Sequence, residues 1–204
     1  MTEASLLYEK AKNEYYKANC NAAKVVELLY PYLKVNNEHF DAWSFYGDSL
    51  RLVGRVKEAE EALTKALGLA NVKDKSSICG RIGLLHSNHL CRKTAENWYM
   101  RATKLDQDTA WLWILRGENL VKMGQYDLGI ECLMNVVSRN LEDADEAYLN
   151  IGLAWMARGD YLKGIDAAEK ALQINNTYKE AIELLDRLKK VARVKDEIKK
   201  MKLS

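Results

Sequence analysis

Between residues 40 and 178 the apolar positions recur in paired helical stripes, four times over. In Phe40–Lys73 the large residues are Trp43, Tyr46 and Leu50; in Ala110–Asp143 they are Trp113 and Leu120; in Asp145–Tyr178 they are Tyr148, Ile151 and Trp155. Counted from the start of each unit these are places four, seven and eleven, a spacing that puts them on one face of a helix. Ser76–Thr109 follows with Cys79 and His86 at places four and eleven. Place eight, on the same stripe, is Gly47, Gly83, Gly117 and Gly152. A glycine inside a helix costs about 1 kcal/mol against alanine, so one at the same place in every unit predicts the close approach of a second helix. That helix carries small residues where the approach is expected: Ala59, Ala95, Gly129 and Gly164 at place twenty, then Ala66, Ala102, Val136 and Ala171 at place twenty-seven. Gly54, Gly124 and Gly159 at place fifteen predict left-handed helix ends; the second unit has Leu90 there. Successive units begin 36, 34 and 35 residues apart. A period of this size predicts an all-α chain, an α-solenoid of antiparallel helix pairs.

The pattern Trp43–Gly47–Leu50–Gly54–Ala59–Leu63–Ala66 resembles the tetratricopeptide repeat family, as do Trp113–Gly117–Leu120–Gly124–Tyr126–Leu133 and Tyr148–Gly152–Trp155–Gly159–Tyr161–Ala168–Ala171. The resemblance covers residues 40–178 and implies a right-handed superhelix. One departure is the proline that the family usually carries near place thirty-two: here that place is Asn71, Gln107, Leu141 and Asn176, and the only proline is Pro31. Asparagine also ends helices and makes turns, so the fold expectation is unchanged.

A single domain over 1–204 is expected, with four repeat units at 40–73, 76–109, 110–143 and 145–178. Residues 1–39 read as a degenerate helix pair, with Leu6, Leu7, Ala11, Tyr15 and Tyr16 on one stripe and Ala22, Val25, Val26, Leu29 and Leu33 on the next. Residues 179–204 form a long basic amphipathic capping helix, with Thr177 and Glu180 in a capping-box pattern before it. Uninterrupted from Thr177 to Leu203, that helix would span about 40 Å, so its part beyond about Lys190 projects from the array, docks elsewhere or pairs with another chain.

Charge changes the picture only at this end. The net charge is +2, yet from Lys189 onward there are seven basic and two acidic residues, a net +5. Such a helix can meet nucleic acid, an acidic protein or anionic lipid, or simply sit in solvent. The start, Met-Thr-Glu-Ala-Ser, lacks the basic and apolar regions of a secretory signal, and no run approaches the ~20 apolar residues of a membrane span. The expected setting is cytoplasmic or nuclear. Cys20, Cys79, Cys91 and Cys132 are scattered without paired spacing, which suits a reducing compartment. Cys79, His86, His89 and Cys91 have soft ligand chemistry, but Cys79 and His86 fall on inward packing places and Cys91 in a turn. Neither metal nor cofactor is expected. With no catalytic spacing and no glycine-rich loop after a strand, an enzyme is not expected either.

The resemblance implies a concave groove lined by the first helices, through places two, five, nine, twelve and thirteen. Asp41, Ser44, Asp48, Arg51 and Leu52 make a polar set in the first unit; Ser77, Gly80, Leu84, Ser87 and Asn88 come next. The third unit gives Trp111, Ile114, Glu118, Val121 and Lys122, and the fourth Glu146, Leu149, Leu153, Met156 and Ala157. Trp111 stands two residues before Trp113, so it points about 160° away from it. The expected binding residues are therefore Leu84, Trp111, Ile114, Glu118, Val121, Leu149, Leu153 and Met156. The family's clamp for chaperone tails holds a carboxylate with Lys, Asn and Arg; the matching places hold Ser44, Asp48, Gly80, Arg81, Trp111 and Leu115, of which only Arg81 is basic. The expectation is a non-enzymatic adaptor, scaffold or chaperone that takes another protein's peptide or helix in the groove. A homo-oligomer through the C-terminal helix or groove ranks second, and nucleic acid or an acidic partner on the basic helix third.

Overall fold

The computed structural model describes residues 3–201, with side chains described as far as Lys195. Among these residues there are eleven helices and no strand: α1 (Glu3–Tyr15), α2 (Ala22–Val35), α3 (Phe40–Leu52), α4 (Val56–Leu69), α5 (Lys75–Asn88), α6 (Arg92–Leu105), α7 (Ala110–Lys122), α8 (Tyr126–Ser138), α9 (Ala144–Arg158), α10 (Tyr161–Ile174) and α11 (Lys179–Met201). Consecutive helices pack as pairs, α1 on α2 through α9 on α10. This is the all-α helix-pair architecture that the repeat period predicts. The chain divides between Asp106 and Gln107 into two compact units, the first holding α1–α6 and the second α7–α11.

The glycines act as the pattern predicts. A methyl group on Gly47 would stand 2.8 Å from Leu63 Cγ, one on Gly83 2.6 Å from Tyr99 Cε1, and one on Gly117 2.6 Å from Leu133 Cγ. Leu63, Tyr99 and Leu133 all occupy place twenty-four and are at most 1% exposed. Each pair thus locks a large side chain of its second helix onto the bare backbone of its first. Burying a leucine this fully stabilises by about 1.5–3 kcal/mol. The fourth pair departs from the rule. Its place twenty-four is Ala168, and the atom nearest a methyl on Gly152 is Leu184 Cδ2 of α11, at 3.0 Å. Leu188 lies as close to Gly164, at 3.1 Å. A small residue opens a socket there, and α11 fills it.

The turns also repeat. Gly54, Gly124 and Gly159 have φ of 79°, 77° and 91°, and Leu90 takes the same left-handed conformation at 61°. After each, an amide reaches back five residues: Arg55 N–H to Leu50 O at 2.9 Å, Cys91 to His86 at 3.0 Å, Gln125 to Leu120 at 2.9 Å and Asp160 to Trp155 at 2.9 Å. Such a bond satisfies a carbonyl that the helix end leaves free. It holds Leu90 in place even though a left-handed backbone is unfavourable for a side chain.

One expectation at the C-terminal end is corrected. Thr177 is not the cap of α11; its hydroxyl donates to Asn175 Oδ1 at 3.1 Å, and the amides of Ala181 and Ile182 both bond to Tyr178 O at 3.1 Å. Beyond Lys190 the described residues of α11 other than Ala192 are exposed. Lys189 pairs with Glu169 of α10 at 3.0 Å, and Lys195 Nζ sits 5.0 Å from the centre of the Tyr161 ring. Lys199, Lys200 and Lys202 of the basic stretch lie outside the residues whose side chains are described.

Candidate protein-binding face

In the second unit, α7 is fixed at its entry. Trp113 Nε1 donates to Gln107 O at 2.9 Å, and Arg139 at the end of α8 holds Gln107 Oε1 at 2.7 Å and Asp108 at 3.0 Å. Trp113 packs on the cluster of Ile114, Leu133, Val136, Ala147 and Ile151. Trp111, two residues away, is partly exposed. Glu118, one turn beyond the buried Ile114, accepts from Lys122 at 2.9 Å and from Asn150 of α9 at 3.3 Å. Val121, Leu153 and Met156 are partly exposed.

Place five is a packing place. Ile114 and Leu149 are only 3% and 8% exposed, and Ser44 is 5% exposed. The family resemblance assigns Ile114 and Leu149 to the groove, but the neighbouring helix covers that edge of the stripe. Leu153 and Met156 keep some exposure yet pack against the cluster of Ala181, Leu184 and Leu188 on α11. Leu84 is partly exposed on α5, which belongs to the first unit, whereas the other seven belong to the second. Trp111, Glu118, Val121, Leu153 and Met156 therefore remain on one unit and accessible. Within that unit α11 packs on α9 and α10; α7 packs on α8 and α9. Among the described residues the C-terminal helix does not pack on α7.

Acids border this face, and one of them, Glu118, is paired with Lys122. Glu146, at the start of α9, has its carboxyl raised above the ordinary glutamate value, first by burial and then by Asp143, Glu118 and Asp145. Asp145 accepts from Asn175 at 3.1 Å. From Ala110 to Arg158 there are seven acids (Glu118, Asp127, Glu131, Glu142, Asp143, Asp145, Glu146) and four bases (Arg116, Lys122, Arg139, Arg158), a net −3.

The first unit handles the same places differently. Asp48, 8% exposed, accepts from Tyr15 Oη at 2.8 Å and Arg51 Nε at 2.8 Å, and lies 3.3 Å from Arg81. Arg81 also donates to Tyr15 Oη at 2.6 Å. Tyr15 stacks on Phe45 with ring centres 4.6 Å apart. Burial drives the Tyr15 phenol up from its ordinary value, with Arg81 opposing that rise. The cluster joins α1, α3 and α5. Sequence reading placed Asp48, Arg51 and Arg81 at groove places but missed that they pair with one another and with Tyr15. Tyr15 reads there as an apolar stripe residue, and only its phenol head betrays the role.

Among the described residues no three of His, Cys, Asp or Glu converge as metal donors. Cys79 is fully buried with its thiol pushed up by that burial, His86 lies 3.4 Å from Glu60, and Cys91 is exposed. No described helix is long and apolar enough to cross a membrane.

Two models described as tetratricopeptide repeat match the chain, one over residues 40–72 and one over 114–179. No curated protein sequence matches it. Among solved structures it is similar to YrrB, described as a TPR protein with an unusual peptide-binding site, at 18% identity and TM-score 0.65, over 88% of this chain and 87% of that one. It is similar to the MamA protein at 19% identity and TM-score 0.67, over 86% and 95%. A tetratricopeptide repeat protein from Parabacteroides merdae ATCC 43184 gives 18% identity and TM-score 0.73, over 97% and 78%.

Proposed function

We propose, from the premise that the chain belongs to the tetratricopeptide repeat family over residues 40–72 and 114–179, that it is a non-enzymatic adaptor that binds a protein segment on the first-helix face of its second unit. The family serves generally as a module for protein–protein interaction, and this much holds for the chain. The finer reading rests on one observation: Trp111, Val121, Leu153 and Met156 stay partly exposed around Glu118 on a rigid helical frame. An exposed aromatic among aliphatic side chains is a surface that gains by being covered. The ligand is an amphipathic helix or extended segment whose apolar side chains meet Trp111 and Met156, the kind of recognition that repeat grooves perform through buried area. YrrB, similar in fold, is described by a peptide-binding site of its own.

Selection from a displayed random peptide library tests this. Peptides enriched on the wild type are expected to lose binding to a Trp111→Ala/Met156→Asp variant that keeps the wild-type melting curve. Enriched peptides that bind both proteins equally would remove the face from consideration.

A further inference from the structure

On the second unit's face, acids and apolar side chains are interleaved. Trp111, Glu118 and Val121 hold places two, nine and twelve of one repeat; Glu146, Leu153 and Met156 hold the same places of the next. That spacing puts each trio on one stripe of its helix, and all six side chains are partly exposed. Asn150 of α9 donates to Glu118 of α7 at 3.3 Å, which fixes how the two stripes stand side by side. Both helices are the first of their pair and run the same way. Glu146 lies one turn before Asn150 and Trp111 two turns before Glu118, about 6 Å and about 10 Å along the axes. Glu146 therefore sits at a level between Trp111 and Glu118, and Val121, Leu153 and Met156 stand past both acids. Each base of the stretch Ala110–Arg158 is engaged away from Glu146. Arg116 lies over Trp113, 6.0 Å from the ring centre, Lys122 pairs with Glu118, Arg139 with Asp108, and Arg158 with Asp127 and Asp160. The charges acting on Glu146 are Asp143, Glu118 and Asp145; those acting on the nearby Tyr178 phenol are Glu146, Glu180, Asp145 and Asp143. All of them are acids.

A wholly apolar segment on this face would cover Trp111 and Met156 but strip water from Glu146 without compensation, which burial of a charge penalises. An acidic segment, or the phosphates of a nucleic acid, would add repulsion. A segment with a basic side chain among its apolar ones covers the aromatic and neutralises the acid together. We propose that the segment taken by this face is of that kind: a lysine or arginine that meets Glu146, set between apolar side chains that meet Trp111 on one side and Leu153 and Met156 on the other. This rests on the binding face assigned above and names the chemistry of its ligand. The apolar contacts supply buried area, and the charge supplies choice, because it rejects acidic segments of equal hydrophobicity. Glu146 is partly buried, so its pairing is screened less by salt than that of a fully exposed acid.

Selection from a displayed random peptide library in which basic and acidic residues are equally frequent tests it. Peptides enriched on wild type are expected to carry a lysine or arginine flanked by apolar residues and to be depleted in aspartate and glutamate. One such peptide, and its counterpart with alanine at the basic position, are then titrated into wild type and Glu146→Gln. On wild type the alanine peptide is expected to bind about tenfold more weakly; on Glu146→Gln the two peptides are expected to differ by about twofold or less, because the partner charge is gone. Enriched peptides without a basic residue, or a basic residue whose loss costs the same on both proteins, overturn the basic chemistry. If those peptides still lose binding to Trp111→Ala, the face itself stands and only its ligand class is wrong. Peptides that bind Trp111→Ala as tightly as wild type overturn both.

Discussion

Asp48 and Glu118 occupy the same place of their repeats, and the two compact units treat them in opposite ways. Asp48 is nearly buried and is held by Tyr15, Arg51 and Arg81, which join three helices. Glu118 is partly exposed, with an amide and the half-exposed Lys122 as partners. In the first unit the polar groups of the face saturate one another and serve the fold. In the second, apolar side chains stand partly open beside Glu118, whose ion-pair partner Lys122 is itself half-exposed. One repeat geometry thus yields a structural seam in one unit and a surface for a partner in the other. The choice lies in a handful of side chains at place nine and its neighbours.

Replacing each acid breaks the comparison most forcefully. Asp48→Ala leaves two guanidiniums without their partner, and removing one member of a buried ion pair costs about 3 kcal/mol or more. Glu118→Ala is expected to cost about 0.5 kcal/mol or less, as an exposed pair does. Urea unfolding of both variants measures the difference, and equal losses would show that the two acids do the same job.

The turns give the next effect. Leu90 holds a left-handed backbone at φ 61° where the other three repeats use glycine, so Leu90→Gly is expected to stabilise by about 1 kcal/mol once strain relief is set against the looser unfolded chain. Gly124→Ala, in the second unit, should destabilise by a similar amount. Thermal melts of the two proteins would move in opposite directions.

Glu146 gives the smallest effect and the one with a pH signature. Its folded-state value lies above that of the unfolded chain, so the folded state keeps its proton longer as pH rises. Stability from this group therefore falls as pH climbs from the ordinary glutamate range to the raised value, and stays lower beyond it. Glu146→Gln is expected to match wild type at about pH 3.5, where both states are protonated, and to be slightly more stable at neutral pH. Paired denaturation curves at the two pH values test the sign.

The frame of the molecule was legible because repetition averages out local noise. Place eight glycines predicted the close approach of a second helix, which the helices make, with the large residues Leu63, Tyr99 and Leu133 rather than the small ones nearest the glycines, and α3 and α7 begin at the first residues of their units, Phe40 and Ala110. What escaped the sequence depends on neighbours far along the chain. Ile114 and Leu149 stand at groove places by the family resemblance but are closed over by adjacent helices. The docking of α11 follows from Ala168 standing where the other repeats carry a large side chain, a gap that matters only once Leu184 enters it. The Asp48 cluster needs Tyr15, 33 residues earlier. Periodicity describes a helix by itself and says nothing of which helix will cover it.

The most direct measurement is calorimetric titration of one peptide, selected on wild type, into wild type, Trp111→Ala and Leu84→Ala. Trp111→Ala is expected to weaken binding at least about tenfold, the loss of a central aromatic anchor, while Leu84→Ala in the first unit leaves the affinity unchanged. Unchanged affinity in Trp111→Ala, or a loss carried instead by Leu84→Ala, would contradict the assignment of binding to the second unit.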